Sequence, residues 1–524
     1  MSYVIGLDTG TTGVKGKIYD LTGAIVAEAY REYECSYPRP GWVDQDITML
    51  DRANDSVLSE LTATPGVDPT DIASIGLSTQ RALHLYVDAQ GNVLRDGMGI
   101  SWQDFRCQEQ VDRIVEEIGT ARYYSITGLP PSTIWSAPKI LWVKEHEPDT
   151  YAAAAKIITT QEYFLHRLGA RDGWYQDYSN GSLFGFMNIE TFDWDDELLS
   201  HFGVSRDLMP ELVPSGTQVG TIDREASQRT GLAEGTPVVT GGGDQQCAAV
   251  GAGVITEGLA EVTLGTAGVS IAHLDTPRYD PNHRISCSAS AYPGERKWIS
   301  EGLQAAAASS YRWFRDYIGY VGRQVEAQGG GSAYAVLNGM AASVPAGANG
   351  LLYLPYLAGS VAPNFDSEAR GGFLGLTFGH GTAEMARAVL EGVSFETRDI
   401  LESFVSMGTE LEEIRLSGGA TKSPLWCQIQ TDIYGRPTVS LEEGECTVLG
   451  AAMLGAVGAG VLPSMEQAAE KMVRTERVYE PDERLRARYD EAFGVFRHAY
   501  QALASQGVYR ELAAYQQRHD GADQ

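Results

Sequence analysis

The stretch Tyr3-Val-Ile-Gly-Leu-Asp-Thr-Gly-Thr-Thr-Gly-Val-Lys-Gly-Lys-Ile-Tyr19 predicts two β-strands joined by a turn that is rich in glycine and hydroxyl groups. A further apolar run at 24–29 extends the pattern into a β-meander. A dinucleotide site needs a strand, a turn and a helix, so these glycines do not form a Rossmann fingerprint. A tight turn that exposes amide N–H groups and hydroxyls can instead hold a phosphate. The stretch therefore predicts a phosphate site, with an ordinary polar hairpin turn as the alternative.

A weaker copy of this pattern lies near the middle of the chain. Leu259-Ala-Glu-Val-Thr-Leu264 leads through Gly265-Thr-Ala-Gly268 into a second apolar run. The recurrence predicts an internal duplication, and two such turns facing each other would clamp the β- and γ-phosphates of a nucleotide. Alone, the second turn is equally typical of a plain hairpin. Because 524 residues exceed one ordinary domain, two large domains are expected.

The third informative stretch is Gly241-Gly-Gly-Asp-Gln-Gln246, which follows a short apolar run at 236–240. The run predicts a buried strand, so Asp244 is expected just past a strand end, where open α/β sheets present ligand-binding groups. The neighbouring glycines would let a substrate approach the backbone closely. The alternative is an aspartate that caps a helix beginning at Gln245.

Two further patterns concern packing. Ser300-Glu-Gly-Leu303 and the small residues from Ala305 to Ser310 predict a closely packed helix. Apolar residues at three/four spacing between 485 and 503 predict an amphipathic terminal helix. Residues 521–524 are expected to fray.

Composition excludes several classes of protein. A hydrophobic content of 43% and a charged content of 21% are typical of a soluble globular chain. No apolar run is long enough for a membrane span, and the N-terminus carries no signal peptide. Six scattered cysteines without metal-ligand spacing favour reduced thiols and a cytoplasmic location. A formal net charge of −29 argues against a nucleic-acid partner.

Several separate motifs carry a family resemblance. Asp8-Thr-Gly-Thr-Thr12, Pro40-Gly-Trp-Val-Asp-Gln-Asp46 and Trp102-Gln-Asp-Phe-Arg106 together resemble the FGGY carbohydrate kinases, and the likeness extends to about residue 460. The resemblance implies an α/β fold with two actin-like (ribonuclease H-like) ATPase domains around a central cleft. It implies an N-terminal domain over 1–253 with the sugar site and catalytic base, and a nucleotide-binding C-terminal domain over 254–524 whose terminal helix packs back. ATP and Mg²⁺ are the implied cofactors.

The resemblance also implies roles for individual residues. Asp244 is expected to be the catalytic base that takes the proton from the attacking hydroxyl, and Asp8 and Asp244 are expected to lie at the metal. The residues expected to contact the substrate are Gln80, Arg81, Trp102, Asp104 and Gln245. The residues expected to bind ATP are Thr11, Thr12, Lys15, Gly265, Thr266, Gly418, Gly419 and Ser423.

The substrate is less well determined than the reaction. Ala82 stands where glycerol kinases have a glutamate, and Ile134 where they have a tyrosine, so glycerol is disfavoured. We expect transfer to a terminal hydroxyl of a small, xylulose-like ketose. A polyol of the glycerol or erythritol type and an autoinducer-type sugar are the alternatives. A non-catalytic sugar-binding regulator is the alternative from another class, and a chaperone is disfavoured because the terminal segment is too short for a peptide-binding domain. A homodimer remains an open option.

Overall fold

The computed structural model describes residues 2–519, so the segment 521–524, for which fraying is expected, lies outside the described residues. The chain divides into two compact units. The first unit comprises residues 2–256, 273–300 and 445–474, and the second comprises residues 257–272, 301–444 and 475–519. Neither unit is continuous in sequence.

The elements of residues 2–256 are β1 (Tyr3–Thr9), β2 (Gly13–Asp20), β3 (Ile25–Glu32), β4 (Asp44–Asp46), α1 (Ile47–Thr62), β5 (Ile72–Thr79), β6 (His84–Val87), β7 (Met98–Ile100), α2 (Gln108–Glu117), α3 (Thr120–Thr127), α4 (Ser136–His146), α5 (Pro148–Ala153), β8 (Lys156–Thr159), α6 (Thr160–Leu168), β9 (Tyr175–Asp177), α7 (Tyr178–Gly181), β10 (Met187–Asn188), β11 (Asp193–Trp194), α8 (Asp196–His201), β12 (Glu211–Val213), β13 (Gln218–Thr221), α9 (Arg224–Thr230), β14 (Pro237–Gly243) and α10 (Asp244–Gly251).

The elements of residues 257–444 are β15 (Gly258–Leu264), β16 (Gly268–Leu274), β17 (Ser286–Ala289), β18 (Trp298–Gln304), α11 (Ala308–Tyr317), α12 (Val321–Ala327), α13 (Ala333–Ala342), β19 (Leu352–Leu354), β20 (Gly372–Leu374), α14 (Thr382–Ser406), β21 (Leu411–Ser417), α15 (Pro424–Tyr434) and β22 (Thr438–Leu441). Those of residues 445–519 are α16 (Cys446–Gly458), α17 (Met465–Met472), β23 (Thr475–Tyr479), α18 (Arg486–Ser505) and α19 (Val508–His519).

The main sheet of the first unit has the strand order β13-β14-β5-β1-β2-β3. β1 pairs antiparallel with β2, as the opening stretch predicts, and parallel with β5, which in turn pairs parallel with β14. The carboxyl ends of β1, β5 and β14 therefore meet at one edge of the sheet, where such sheets present ligand-binding groups.

Helix α16 lies directly on strands β1 and β5 of this sheet. A Cβ atom added to Gly6 would stand 2.0 Å from the carbonyl oxygen of Val448, and one added to Gly76 would stand 2.0 Å from that of Ala451. Both distances are far shorter than a van der Waals contact, so only glycine allows this approach. Packing at this distance holds β1 and β5 firmly against the helix.

The sheet of the second unit repeats this pattern of strand pairing. β15 pairs antiparallel with β16 and parallel with β21, β21 pairs parallel with β22, and β22 pairs antiparallel with β23. The order β16-β15-β21-β22-β23 therefore matches β2-β1-β5-β14-β13, including every strand direction. The predicted internal duplication and the α/β class are confirmed.

The prediction of a helix from Ser300 is wrong. Residues 298–304 form strand β18, and helix α11 begins only at Ala308. Six of the seven side chains of β18 are buried, so sheet pairing and burial outweigh the helix preference of the alanines that follow. The predicted terminal helix is present as α18, with Tyr489, Phe493 and Phe496 buried in its apolar stripe.

Within residues 2–519, no helix combines the length and the apolar character that crossing a membrane requires.

Burial of Glu261 makes the stability of the second unit dependent on pH. Its side chain lies within β15, 1% exposed, and accepts hydrogen bonds from the hydroxyls of Thr263 at 2.8 Å and Ser417 at 2.7 Å. Burial raises the pKa of Glu261 from 4.5 to about 7. Between pH 4.5 and about pH 7, the folded state therefore keeps a proton on Glu261 that the unfolded state has released. The free energy of unfolding falls as pH rises through this range.

We expect Glu261→Gln to remove this loss, which amounts to at most about 3 kcal/mol. The melting temperature of the variant should exceed that of the wild type by a margin that grows from pH 5 to pH 8, as measured by scanning calorimetry. Glu412→Gln, which changes an exposed carboxylate on β21, is the matched control. Parallel melting curves for Glu261→Gln and the wild type would show that Glu261 does not titrate on folding.

Candidate active site

Three strand ends bring the central predicted residues of the first unit together. Asp8 is the penultimate residue of β1, Gln80 and Arg81 directly follow β5, and Asp244 directly follows β14. The register pairs Asp8 with Ser78 and Gly243 with Thr79 across the adjacent strands. The predicted position of Asp244 at a strand end is therefore present in the structure.

Asp244 is also the first residue of helix α10. Its Oδ1 accepts a hydrogen bond from the backbone N–H of Gln245 at 2.7 Å and lies 3.1 Å from Nε of Arg81. The Asp244 side chain is 27% exposed and that of Arg81 is 17% exposed. The carboxylate is thus oriented by a cation and a helix N-terminus while it keeps an accessible surface, as a group that acts on a substrate must.

Asp8 lies in a strongly acidic environment. Burial, and after it the carboxylate of Asp244, raise the pKa of Asp8 from 3.8 to about 7. The hydroxyl of Ser78, which donates to Asp8 Oδ1 at 2.7 Å, opposes this rise, as does Lys15. Two carboxyl groups that repel each other favour the binding of a cation or a shared proton.

The turn after β1 carries the predicted phosphate ligands of the first unit. Thr12 is exposed, and Thr11 accepts at its hydroxyl a hydrogen bond from the indole N–H of Trp102 at 3.0 Å. Trp102 therefore lies against the turn, so a predicted sugar contact and a predicted phosphate contact are neighbours. Lys15 forms an ion pair with Glu445, which precedes α16. A phosphate group that bound Lys15 would compete with this carboxylate.

Asp104 occupies a different environment from the other predicted sugar ligands. It is completely buried, and both of its carboxylate oxygens accept hydrogen bonds from Arg106, whose side chain is also fully buried. The backbone N–H of Val43 donates to Asp104 Oδ2 at 2.6 Å. A contact between Asp104 and a sugar would require this network to open, and the assignment stays a prediction.

The predicted nucleotide ligands of the second unit lie at the ends of β15 and β21. Gly265 and Thr266 form the turn that follows β15, with the Thr266 side chain exposed. Gly418 has φ +80°, and a Cβ atom there would stand 2.8 Å from the carbonyl oxygen of Leu264. Gly419 faces open space, because no described atom beyond its own chain neighbours lies within 4 Å of a Cβ placed there. These residues surround the end of one parallel strand pair, as a nucleotide site in an α/β sheet requires.

Ser423 acts as the N-cap of helix α15. Its hydroxyl oxygen accepts from the backbone N–H of Trp426 at 3.2 Å and from the side-chain amide of Asn338 at 3.0 Å, and the residue is 8% exposed. Both contacts belong to the protein itself, so its role as a boundary of the adenosine site stays a prediction.

Sequence reasoning missed four residues that contact the predicted site residues. They are Gln45, which contacts Gln80; Ser78, which contacts Asp8; Gln246, which lies 3.4 Å from Arg81; and Glu445, which pairs with Lys15. Gln45 and Gln246 lie within motifs that the sequence shows clearly. Ser78 and Glu445 carry no local signal, because they become relevant only through strand pairing and helix packing.

The donor set suits Mg²⁺ that arrives with a nucleotide. Over the described range 2–519, no cluster of three or more His, Cys, Asp or Glu side chains is arranged to hold a metal ion. Asp8 and Asp244 nevertheless lie at the carboxyl ends of β1 and β14, and the carboxylate of Asp244 raises the pKa of Asp8. Mg²⁺ prefers oxygen ligands, keeps several waters and is commonly held by one or two carboxylates together with substrate phosphates. The residues present therefore fit Mg²⁺ of this kind and do not form a closed protein cage.

Comparison with known proteins identifies the family. Residues 3–251 match the N-terminal domain, and residues 260–459 the C-terminal domain, of the FGGY family of carbohydrate kinases. A xylulose kinase from Bacillus subtilis is 30% identical over 500 residues, which cover 95% of this chain and 97% of that protein. A glycerol kinase from Gloeobacter violaceus is 32% identical over 459 residues, covering 87% and 88%. The crystal structure of a ligand-bound xylulose kinase from Lactobacillus acidophilus has a TM-score of 0.87 at 26% identity, covering 96% and 99%.

Fold and family together define a phosphotransferase that uses an alcohol group as acceptor. The chain belongs to the FGGY family of carbohydrate kinases. The predicted family, the fold of two actin-like ATPase domains and the ATP-dependent kinase activity are confirmed. The individual site residues stay predictions.

The buried pair of Asp104 and Arg106 can be tested for its contribution to stability. Removing Arg106 leaves a buried carboxylate without its cation, which costs about 3–5 kcal/mol in comparable pairs. We therefore expect Arg106→Ala to lower the melting temperature strongly. Arg171→Ala breaks a partly exposed pair with Asp223, which typically contributes at most about 1 kcal/mol, and serves as the control. Equal melting temperatures for the two variants would contradict the structural role of the buried pair.

Proposed function

We propose that this protein transfers the γ-phosphoryl group of ATP to a terminal hydroxyl of a small ketose that resembles xylulose. The observation that carries the proposal is the position of Asp244, a partly exposed carboxylate at a strand end beside Asp8 and Arg81. Two relatives that are xylulose kinases by name, from Bacillus subtilis and Lactobacillus acidophilus, support the choice of sugar.

Asp244 acts as the general base in this proposal. Phosphoryl transfer depends mainly on positioning and on neutralisation of charge, and a base assists by accepting the proton of the attacking hydroxyl. Arg81 and the N–H of Gln245 hold the carboxylate in one orientation. The side chains of Gln80, Arg81, Trp102, Asp104 and Gln245 would bind the sugar, and Asp104 would do so once its buried network with Arg106 opens.

Thr11, Thr12 and Lys15 would bind phosphate oxygens on the first unit. Gly265, Thr266, Gly418, Gly419 and Ser423 would border the nucleotide on the second unit. Asp8 and Asp244 would hold Mg²⁺, which supplies charge neutralisation at the phosphates. Lys15 would exchange Glu445 for a phosphate oxygen when the nucleotide binds.

Two residues support a ketose over glycerol. Ala82 is buried and has φ +54°. As an alanine, it offers only a methyl group where glycerol kinases place a carboxylate. Ile134 provides no hydroxyl. A polyol remains the second candidate, because glycerol kinases are among the relatives. We also propose a cytoplasmic location, which the six free cysteines support.

The role of Asp244 is tested by Asp244→Asn, which keeps the size of the side chain and its acceptor oxygen. Loss of the general base is expected to lower kcat by about 10²–10⁴-fold, while the dissociation constants of sugar and nucleotide, measured by calorimetry, change little. Asp223→Asn changes an aspartate that caps helix α9 elsewhere in the same unit and should leave kcat unaltered. Full turnover by Asp244→Asn would remove the base assignment.

The substrate is tested with a panel of ketoses and polyols in an assay that detects ADP formation. We expect the highest kcat/KM with a pentulose and a lower value with glycerol, since Ala82 and Ile134 lack the groups that hold glycerol hydroxyls. A preference for glycerol or erythritol would replace the ketose proposal with the polyol alternative. Nucleotide binding without transfer to any acceptor would favour a regulator.

A further inference from the structure

A line of hydrogen bonds connects the turn after β1 with the residue that follows β5. Nε2 of Gln45 donates to the backbone carbonyl oxygen of Thr11 at 2.6 Å. Nε2 of Gln80 donates to Oε1 of Gln45 at 2.8 Å. Gln45 is 1% exposed and Gln80 is fully buried. Two buried side-chain amides therefore join a predicted phosphate turn to a predicted sugar contact.

The chemistry of Thr11 determines the orientation of both amides. A backbone carbonyl oxygen only accepts hydrogen bonds, so the NH₂ group of Gln45 must face it. The carbonyl oxygen of Gln45 then points to Gln80, and Gln80 must donate to it from its own NH₂ group. The carbonyl oxygen of Gln80 is therefore the one group of this amide that takes no part in the line of hydrogen bonds. Reversing either amide would place two acceptors or two donors against each other.

This remaining oxygen is not satisfied by the protein. Among the residues that the structure describes, Gln80 Oε1 is buried and has no hydrogen-bond partner. A buried polar atom without a partner is unfavourable, and such atoms are found preferentially where a ligand or water completes the hydrogen bond. Once a substrate displaces the side chains that cover Gln80, a hydroxyl group can donate to its Oε1, whereas a keto oxygen or an ether oxygen cannot.

We propose that Gln45 is a positioning residue which fixes Gln80 as a hydrogen-bond acceptor, so that Gln80 selects a donating hydroxyl of the substrate. The inference rests on the proposed function, in which Gln80 faces the sugar. To that function it adds two points. The contact between Gln80 and the substrate requires a hydrogen-bond donor on the substrate, and Gln45 is the residue that imposes this requirement. The selected hydroxyl is a non-reacting one, because the attacking hydroxyl gives its proton to Asp244.

The test compares the best ketose substrate with analogues in which one non-reacting hydroxyl at a time is replaced by fluorine. Fluorine has nearly the size of a hydroxyl but cannot donate a hydrogen bond. In the wild type, replacement at one position should lower kcat/KM by at least about tenfold, because the site loses its only donor to Gln80. Gln45→Met, of similar volume, frees the Gln80 amide to turn, so the discrimination at that position should shrink several-fold.

Gln110→Met is the matched control. Gln110 is a glutamine of the same unit, 3% exposed, whose NH₂ group donates to Oε2 of Glu145 at 2.7 Å. Its variant should keep the wild-type discrimination at every position. Gln80→Met tests the same proposal if Gln45→Met does not fold. It should abolish the discrimination at the analogue position where Gln45→Met reduces it.

The outcomes separate the two proposals. If the wild type phosphorylates a ketose and Gln45→Met lowers kcat/KM by the same factor for every analogue, the residue is only structural and the inference is overturned while the proposed function stands. If Gln80→Met keeps the discrimination, the inference is likewise overturned. If the wild type phosphorylates no sugar, the proposed function fails and the inference fails with it.

Discussion

The parallel register of β1, β5 and β14 is the constraint on which the first unit depends. Backbone hydrogen bonds align Asp8 with Ser78, and Gly243 with Thr79, so the residues that follow these strands must meet at one edge. A shift of one residue would turn every side chain of the strand to the opposite face of the sheet. The glycine contacts between α16 and the strands hold this alignment, because no larger residue fits at Gly6 or Gly76.

The same edge concentrates negative charge, and the structure shows how each carboxyl group is accommodated. Asp244 is paired with Arg81, and Asp8 accepts from Ser78. In the duplicated second unit, Glu261 of β15 accepts from Ser417 of the adjoining parallel strand β21. Asp8 and Glu261 both have a pKa raised to about 7, and burial is the largest cause in each case. They differ in their surroundings, since the carboxylates of Asp244 and Glu445 also raise the pKa of Asp8.

Much of the fold followed from local patterns. Apolar runs bounded by glycine-rich turns predicted the two strand–turn–strand units and the position of Asp244, since strands that are buried on both faces are almost continuously apolar. The helix predicted from Ser300 was wrong because alanine-rich segments favour a helix locally, while strand β18 gains its stability from neighbours that are distant in sequence. The environment of Asp104 was not foreseen, since its pairing with Arg106 depends on burial beneath Trp42 and Trp142.

By itself, the sequence determined the duplicated architecture, the family and the carboxylate that follows a glycine-rich strand end, because each of these is written in short, contiguous motifs. Only the tertiary structure decided which polar groups meet. Gln45 lies 35 residues from Gln80, and Lys15 lies 430 residues from Glu445. Contacts over such separations arise from strand order and helix packing, and their hydrogen-bond polarity depends on atoms that no local pattern brings together.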